Sequence, residues 1–148
     1  MNTLDLILAG APTSGVYRVA TRSSAQEIMH QAARRSWHGG YLSGRSIVDK
    51  ASFLRASARA LAFPAYFGHN WDAFEECLTD LNWLRCAGSL LLYDEPVHFA
   101  NNSPREWQTA LAILKQSADA WRQQQKPFYV LLRKTYGAAP EIPLVVTR

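Results

Sequence analysis

The chain has 148 residues, 48% of them hydrophobic, and a formal net charge of +4 at pH 7. This composition excludes a disordered chain and suffices for one domain with its own core. No apolar run is long enough to cross a membrane, and the apolar stretch at residues 4–10 lacks the basic lead-in of a signal peptide. The two cysteines are too few for a secreted disulfide framework. The sequence therefore predicts a cytoplasmic protein with reduced cysteines and no membrane partner.

Hydrophobic periodicity and turn signals predict strands separated by helices, which indicates an α/β fold with a mainly parallel sheet. Residues 1–15 are expected to be a turn-rich lead-in, and residues 38–40, His-Gly-Gly, a break after a helix. Ser103, which precedes Pro104, is expected to cap a helix. Strands are predicted at residues 16–20, 41–43, 89–93 and 128–132, with a further edge strand within 140–146, and helices at residues 24–35, 50–62, 70–80 and 103–123.

The helix predicted to begin after Asn70 has an apolar side and an acidic side. Asn70 is expected to cap it, and Gly68 to allow a positive φ in the preceding turn. At about 100° per residue, one side gathers Trp71, Phe74, Cys77, Leu78 and Leu81, and the other gathers Asp72, Glu75, Glu76, Thr79 and Asp80. A charged side opposite an apolar side is common on surface helices, where it is often only solvated.

The distribution of charge along the chain favours a binding role for this acidic side. Residues 64–95 contain six acidic residues and one basic residue, whereas residues 1–63 contain eight basic and three acidic residues. Residues 96–148 contain seven basic and three acidic residues. Negative charge is thus concentrated in one segment of a basic protein, which is typical of a surface that meets a positively charged partner.

The same segment contains Pro64, Tyr66-Phe67, Gly68, Asn70, Trp71, Asp72-Ala73, Glu76 and Cys77-Leu78. Its pattern is a proline, an aromatic pair, glycine, one variable residue, asparagine, an apolar residue, Asp-Ala, and an acid before Cys-Leu. This pattern resembles the signature of the barstar family of intracellular ribonuclease inhibitors. The resemblance covers about residues 38–135, because residues 41–44, 90–93 and 128–132 are similar to the family's strands.

The resemblance implies a barstar-like fold, in which a small, mainly parallel sheet of three strands is packed with helices. Residues 38–148 would form the barstar-like domain, and residues 1–37 a β-α extension of the same compact unit. This extension could add a fourth strand at the edge of the sheet.

The resemblance also implies a function, the inhibition of a basic ribonuclease or nuclease toxin by an acidic helix that blocks its cationic active site. Glu76 would enter that site, with Asp72 beside it. The implied partner-binding residues are Tyr66, Phe67, Gly68, Asn70, Asp72, Ala73, Glu75, Glu76 and Thr79.

The sequence predicts no enzyme, no cofactor and no metal site. It contains no Walker A loop, no G-x-G-x-x-G and no G-x-S-x-G, and its four histidines show no metal-ligand spacing. His69 lies beside Asp72 and Glu76, and a histidine with two carboxylates is capable of acid–base chemistry. Because nothing else near it indicates a pocket, we interpret His69 as a turn residue.

Two other functions stay open at the level of sequence. The acidic helix could belong to an adaptor that binds a basic protein with no nuclease activity. The N-terminal unit could bind RNA through Arg18, Arg22, Arg34 and Arg35. Nucleic acid is not the expected partner, because the basic residues are scattered along the chain rather than run together.

Overall fold

The computed structural model describes residues 1–64, 68–80 and 86–147. Within these ranges the chain forms six α-helices and five β-strands. In chain order they are α1 (Thr3–Gly10), β1 (Gly15–Ala20), α2 (Ala25–Arg34), β2 (Trp37–Ser43), α3 (Lys50–Ala60), α4 (Trp71–Thr79), β3 (Gly88–Asp94), α5 (Val97–Asn102), α6 (Pro104–Gln123), β4 (Phe128–Arg133) and β5 (Leu144–Val146), with a 3-10 turn at Gly44–Ser46. No helix in these ranges is long and apolar enough to cross a membrane.

The five strands form one sheet in the order β2-β3-β4-β1-β5, and every neighbouring pair is parallel. β3 and β4 are buried along their whole length, which explains their continuous apolar sequences. The chain crosses the sheet in one direction from β2 to β4 and in the other from β1 to β2. Because crossovers between parallel strands are right-handed, the helices are divided between the two faces of the sheet.

Each face of the sheet has its own hydrophobic core. The first core lies under α3, α4, α5 and α6 and includes Leu91 and Val130 from the central strands. The second core lies under α1 and α2 and includes Leu90 and Leu131. Successive residues of β3 and β4 therefore point to opposite faces, and both faces are covered by helices.

The expectation of three strands, or four with an addition at the edge, is wrong. β1 lies in the interior of the sheet, paired with β4 on one side and with β5 on the other. The short β5 takes the edge position. The charged Arg18 among the apolar residues of β1 is typical of a strand with one face in solvent. In the structure, its Nε donates to Ile142 O at 2.7 Å, in the segment that leads to β5. The polar residue thus has a partner far along the chain, which local alternation does not show.

The sequence His38-Gly39-Gly40 is part of β2 and does not break the chain. Gly40 is buried against α3, and a Cβ at this position would lie 2.9 Å from the backbone oxygen of Ala60. Glycine is needed here so that the helix can approach the strand closely. The prediction failed because a pair of glycines is the same local signal in a turn and in a crowded strand.

Two predictions about helix starts are also corrected. Residues 3–10 form α1, because Asn2 accepts a hydrogen bond from the Asp5 N–H and Asp5 accepts one from the Asn2 N–H. Ser103 precedes α6 but makes no capping hydrogen bond with its side chain. Its Oγ instead donates to Val48 O at 3.1 Å, so a tertiary partner takes the place of the local one.

Candidate functional site on helix α4

The start of α4 has the predicted cap but a different turn before it. The Asn70 Oδ1 accepts from the Ala73 N–H at 2.8 Å. The positive φ, 54°, belongs to His69 and not to Gly68, which corrects the prediction for the glycine. A Cβ at Gly68 would lie 3.2 Å from Asn70 Nδ2, so the glycine leaves room for the capping side chain. His69 is exposed.

The apolar side of α4 packs into the first core. Phe74, Cys77 and Leu78 are buried. Trp71 is half-buried, and its ring contacts those of Phe53 and Phe74 with centroid separations of 5.9 Å each. The predicted division of the helix into two sides is therefore present, with Trp71 at the margin of the core.

Helix α6 holds α4 near both of its ends. At the first turn, the Trp71 Nε1–H donates to Glu106 Oε2 at 2.8 Å. At the last turn, the buried Trp121 Nε1–H donates to Leu78 O at 2.7 Å and satisfies a carbonyl that has no partner within the helix. The positioning role of Glu106 and Trp121 was not predicted, because nothing local indicates which distant atom an indole N–H will reach.

Asp72, Glu75 and Glu76 form what we call the acidic face of α4. All three side chains are exposed. Within the described part of the chain, none of them makes an ion pair or a hydrogen bond through its carboxylate. Together with Thr79 they line an open depression of about 340 Å³. The acidic face therefore presents three carboxylates that form no ion pair with any cation of the described residues.

The polar side chains at the carboxyl end of α4 are hydrogen-bonded to the helix backbone or partly buried. The Thr79 hydroxyl donates to Glu75 O at 2.8 Å, so its proton is directed at the helix backbone. Asp80 is the half-buried residue that ends the helix. Cys77 and Cys86 are not joined in a disulfide, and burial, followed by the negative charges of Asp80 and Glu76, raises the pKa of the Cys77 thiol.

The structure brings most of the predicted contact residues together on α4 and the turn before it. These are Gly68, Asn70, Asp72, Ala73, Glu75, Glu76 and Thr79. Tyr66 and Phe67, two further predicted contacts, and Leu81, predicted for the apolar side, lie outside the described residues. Among the residues that the structure describes, no group of three or more His, Cys, Asp or Glu side chains could hold a metal ion.

A polar cluster at the carboxyl ends of the strands, built around the buried Asp94 and Arg133, was not predicted. Asp94, at the end of β3, accepts from Arg133 Nε and Nη2 at 2.7 Å each and from the Tyr41 hydroxyl at 2.8 Å. Arg133 Nη1 donates to Ser23 O at 2.8 Å, so the cluster ties β2, β3 and β4 to the loop after β1. The hydrogen bonds to Asp94 raise the pKa of Arg133, and burial, followed by Asp94, raises the pKa of Tyr41 to about 12.

The comparison with protein-family models concerns the segment that contains α4. Residues 37–133 match the model described as Barstar (barnase inhibitor). The chain belongs to the barstar family. The matched residues extend from β2 to β4 and include the whole acidic face, whereas α1, β1, α2 and β5 lie outside the match. No curated protein matches the chain significantly.

Solved structures share the fold of this barstar-family protein over most of its length. Two structures of the ORC2 protein of Aeropyrum pernix, one in the ADP form and one with ADPNP-ADP complexes, superpose with TM-scores of 0.58 and 0.56 at 14% and 12% sequence identity. Each covers 95% of this chain, which spans only 44% and 43% of the respective ORC2 chains. At this identity the similarity shows the fold alone, and it extends over the strands that the three-stranded expectation omitted.

Proposed function

We propose that this barstar-family protein inhibits a ribonuclease or nuclease toxin by placing the acidic face of α4 in the enzyme's cationic active site. The observation that supports this most directly is the group of three exposed carboxylates, which have no partner among the described residues and lie inside the segment that matches the family model. A site that binds a phosphodiester is lined with basic groups, and carboxylates at fixed positions complement such a site.

The packing of α4 makes it a suitable platform for such an interaction. Phe74 is fully buried beneath the acidic face, and hydrogen bonds from Trp71 and Trp121 link the helix to α6. A helix that is already held in place loses little conformational freedom on binding. The side chains of the acidic face would thus be the main groups that must become ordered in a complex.

Within the proposed interface, Glu76 is the carboxylate inserted among the cations, and Asp72, one turn earlier on the same side, is its neighbour. Glu75 and Thr79 extend the same surface. The residues proposed for the rim are Tyr66, Phe67, Gly68, Asn70 and Ala73. We also propose that the protein acts in the cytoplasm and is not itself an enzyme, since its sequence contains no catalytic motif and His69 is an exposed turn residue.

The two alternatives differ in how well the structure supports them. An adaptor for a basic protein with no nuclease activity would use the same acidic face and is distinguished only by its partner. RNA binding by the N-terminal arginines is less well supported. Arg18 donates a hydrogen bond to Ile142 O, at the carboxyl end of β1. Arg35 follows the carboxyl end of α2, where it forms an ion pair with Asp5 and lies 5.3 Å from the ring centroid of Trp37. Arg18 and Arg35 therefore do not belong to one surface.

Inhibition of a purified nuclease tests the proposal. Barnase, and any basic nuclease recovered from the native host by affinity capture on the protein, would be titrated with the parent chain while RNA hydrolysis is followed. Asp72→Ala and Glu76→Ala should each weaken inhibition by about 2 kcal/mol or more, which is about thirtyfold or more in Kd. Removing either carboxylate leaves desolvated cations of the enzyme without a partner.

Glu141→Gln is the matched control, because Glu141 is exposed and lies outside α4 and the segment that matches the family model. This variant should inhibit as well as the parent, and thermal melts should show all three variants folded. If Asp72→Ala and Glu76→Ala inhibit as tightly as the parent, the acidic face is only a solvated surface and the proposal fails. Tight binding to a basic protein without nuclease activity would support the adaptor instead.

A further inference from the structure

A cavity of about 300 Å³ lies at the carboxyl ends of β1 and β4, away from α4. Its lining includes Arg18, Thr21, Arg133, Lys134, Thr135 and Leu144. After β1 the chain turns to α2 over the second core, whereas after β4 it passes Ala139 and Ile142, which belong to the first core. In open α/β sheets, ligands bind where adjacent strands lead to opposite faces in this way.

The register of the strands creates this cavity. The ladder between β1 and β4 ends at the pair Arg18–Leu132. β1 nevertheless continues to Ala20, paired with β5, and β4 continues to Arg133, paired with Asp94 of β3. The two strands therefore separate at their carboxyl ends while each keeps its outer neighbour. The opening is built into the sheet and does not depend on a surface loop.

The groups that point to this opening are hydrogen-bond donors. Arg18 is held by its Nε, which donates to Ile142 O, and its two Nη groups have no acceptor among the described residues. The Thr21 hydroxyl accepts from Thr147 Oγ1 at 2.7 Å and from the Ser23 N–H at 3.3 Å. Its own proton has no acceptor in the described ranges, so the hydroxyl is available as a donor.

The charge of the lining is positive. Lys134 is exposed and makes no ion pair within the part of the chain that the structure describes. The charge of Arg133 is offset by Asp94, so that Arg18 and Lys134 are the two cations of the described lining that form no ion pair with a described residue. No carboxylate is among the described residues that line the cavity, and Leu144 adds an apolar wall.

We propose that this cavity binds a small molecule that carries a phosphate monoester. Two cations and a hydroxyl donor match the two negative charges and the acceptor oxygens of a phosphate group. The volume of the cavity lies at the small end of the range for ligand sites, about 300–1,000 Å³. This size suits a sugar phosphate whose apolar edge packs against Leu144. Residues 21–24, the loop between β1 and α2, contain no glycine, so recognition rests on side chains and not on a backbone phosphate loop.

Isothermal titration of the full chain with ribose 5-phosphate, inorganic phosphate and uncharged ribose tests this proposal. Ribose 5-phosphate should bind saturably, and ribose should not bind. Arg18→Gln and Lys134→Asn should each weaken binding by about tenfold or more. Asparagine is chosen at position 134 because the residue has φ of 54°, a conformation that asparagine tolerates.

Arg122→Gln is the matched control, since Arg122 lies at the opposite, amino-terminal ends of β1 and β4. It should leave the Kd for ribose 5-phosphate unchanged. Lys134 is exposed, so its variant remains informative even if Arg18→Gln loses stability in a thermal melt. The proposal is overturned if neither phosphate-bearing probe binds saturably up to about 10 mM, or if Lys134→Asn weakens binding no more than Arg122→Gln does.

Discussion

Replacing Asp94 with asparagine should destabilise the protein by about 3–5 kcal/mol. Asp94 and Arg133 are 4% and 7% exposed, and the carboxylate accepts two Arg133 N–H groups at 2.7 Å each. Asparagine retains one acceptor oxygen but turns an NH₂ group toward the second arginine donor, and Arg133 keeps a buried charge without a counter-charge. The loss is a large part of the roughly 5–15 kcal/mol that stabilises a typical domain. At about 2–4 °C per kcal/mol it lowers Tm by about 6–20 °C.

Urea unfolding followed by tryptophan fluorescence measures this difference. Arg45→Ala is the matched control, because the Arg45–Glu95 ion pair, 3.1 Å, lies at the same end of the sheet but the Arg45 side chain is 79% exposed. Its loss should be below about 1 kcal/mol. Adding Arg133→Met to Asp94→Asn should recover part of the stability, because the unpaired charge is removed. A loss below about 1 kcal/mol for Asp94→Asn, or no recovery in the double variant, would refute the reasoning.

Three other changes test the interior position of β1, the close contact at Gly44 and the raised pKa of Tyr41. Deleting residues 1–36 should prevent folding, because it removes β1 from the interior of the sheet and uncovers the second core; a cooperative thermal transition in the truncated chain would contradict this. Gly44→Ala should cost about 3 kcal/mol in urea unfolding, because a Cβ there would overlap the backbone oxygen of Glu95. Gly39→Ala, whose Cβ would meet the flexible end of the Met29 side chain, should cost less. The free energy of unfolding should fall as pH rises from about 10 to about 12, because the folded state raises the pKa of Tyr41 above its ordinary value to about 12 and thereby favours the neutral phenol. Tyr41→Phe should flatten that part of the pH profile, and an unchanged profile would show that this tyrosine has no part in it.

The local features of the candidate site were predictable because their causes lie within a few residues. Asn70 caps α4 because its side chain reaches the N–H three residues ahead. Phe74 is buried and Glu76 exposed because the helix repeats every 3.6 residues or so. The signature around these residues was enough to recognise the barstar family before the fold was known, and the match over residues 37–133 confirms it. The assignment of the positive φ to Gly68 failed because His69 adopts it instead.

The sequence by itself determined the α/β class, the buried strands β3 and β4, and the two sides of α4, since each depends on periodicity or spacing inside one element. Only the tertiary structure decided that β1 lies between β4 and β5, that α6 holds α4, and that a cavity opens between β1 and β4. The physical reason is the range of the contacts involved. Strand order and the partners of Arg18, Trp121 and Arg133 depend on residues 39 to 126 positions away, and no local pattern in the chain specifies which distant group a polar side chain will meet.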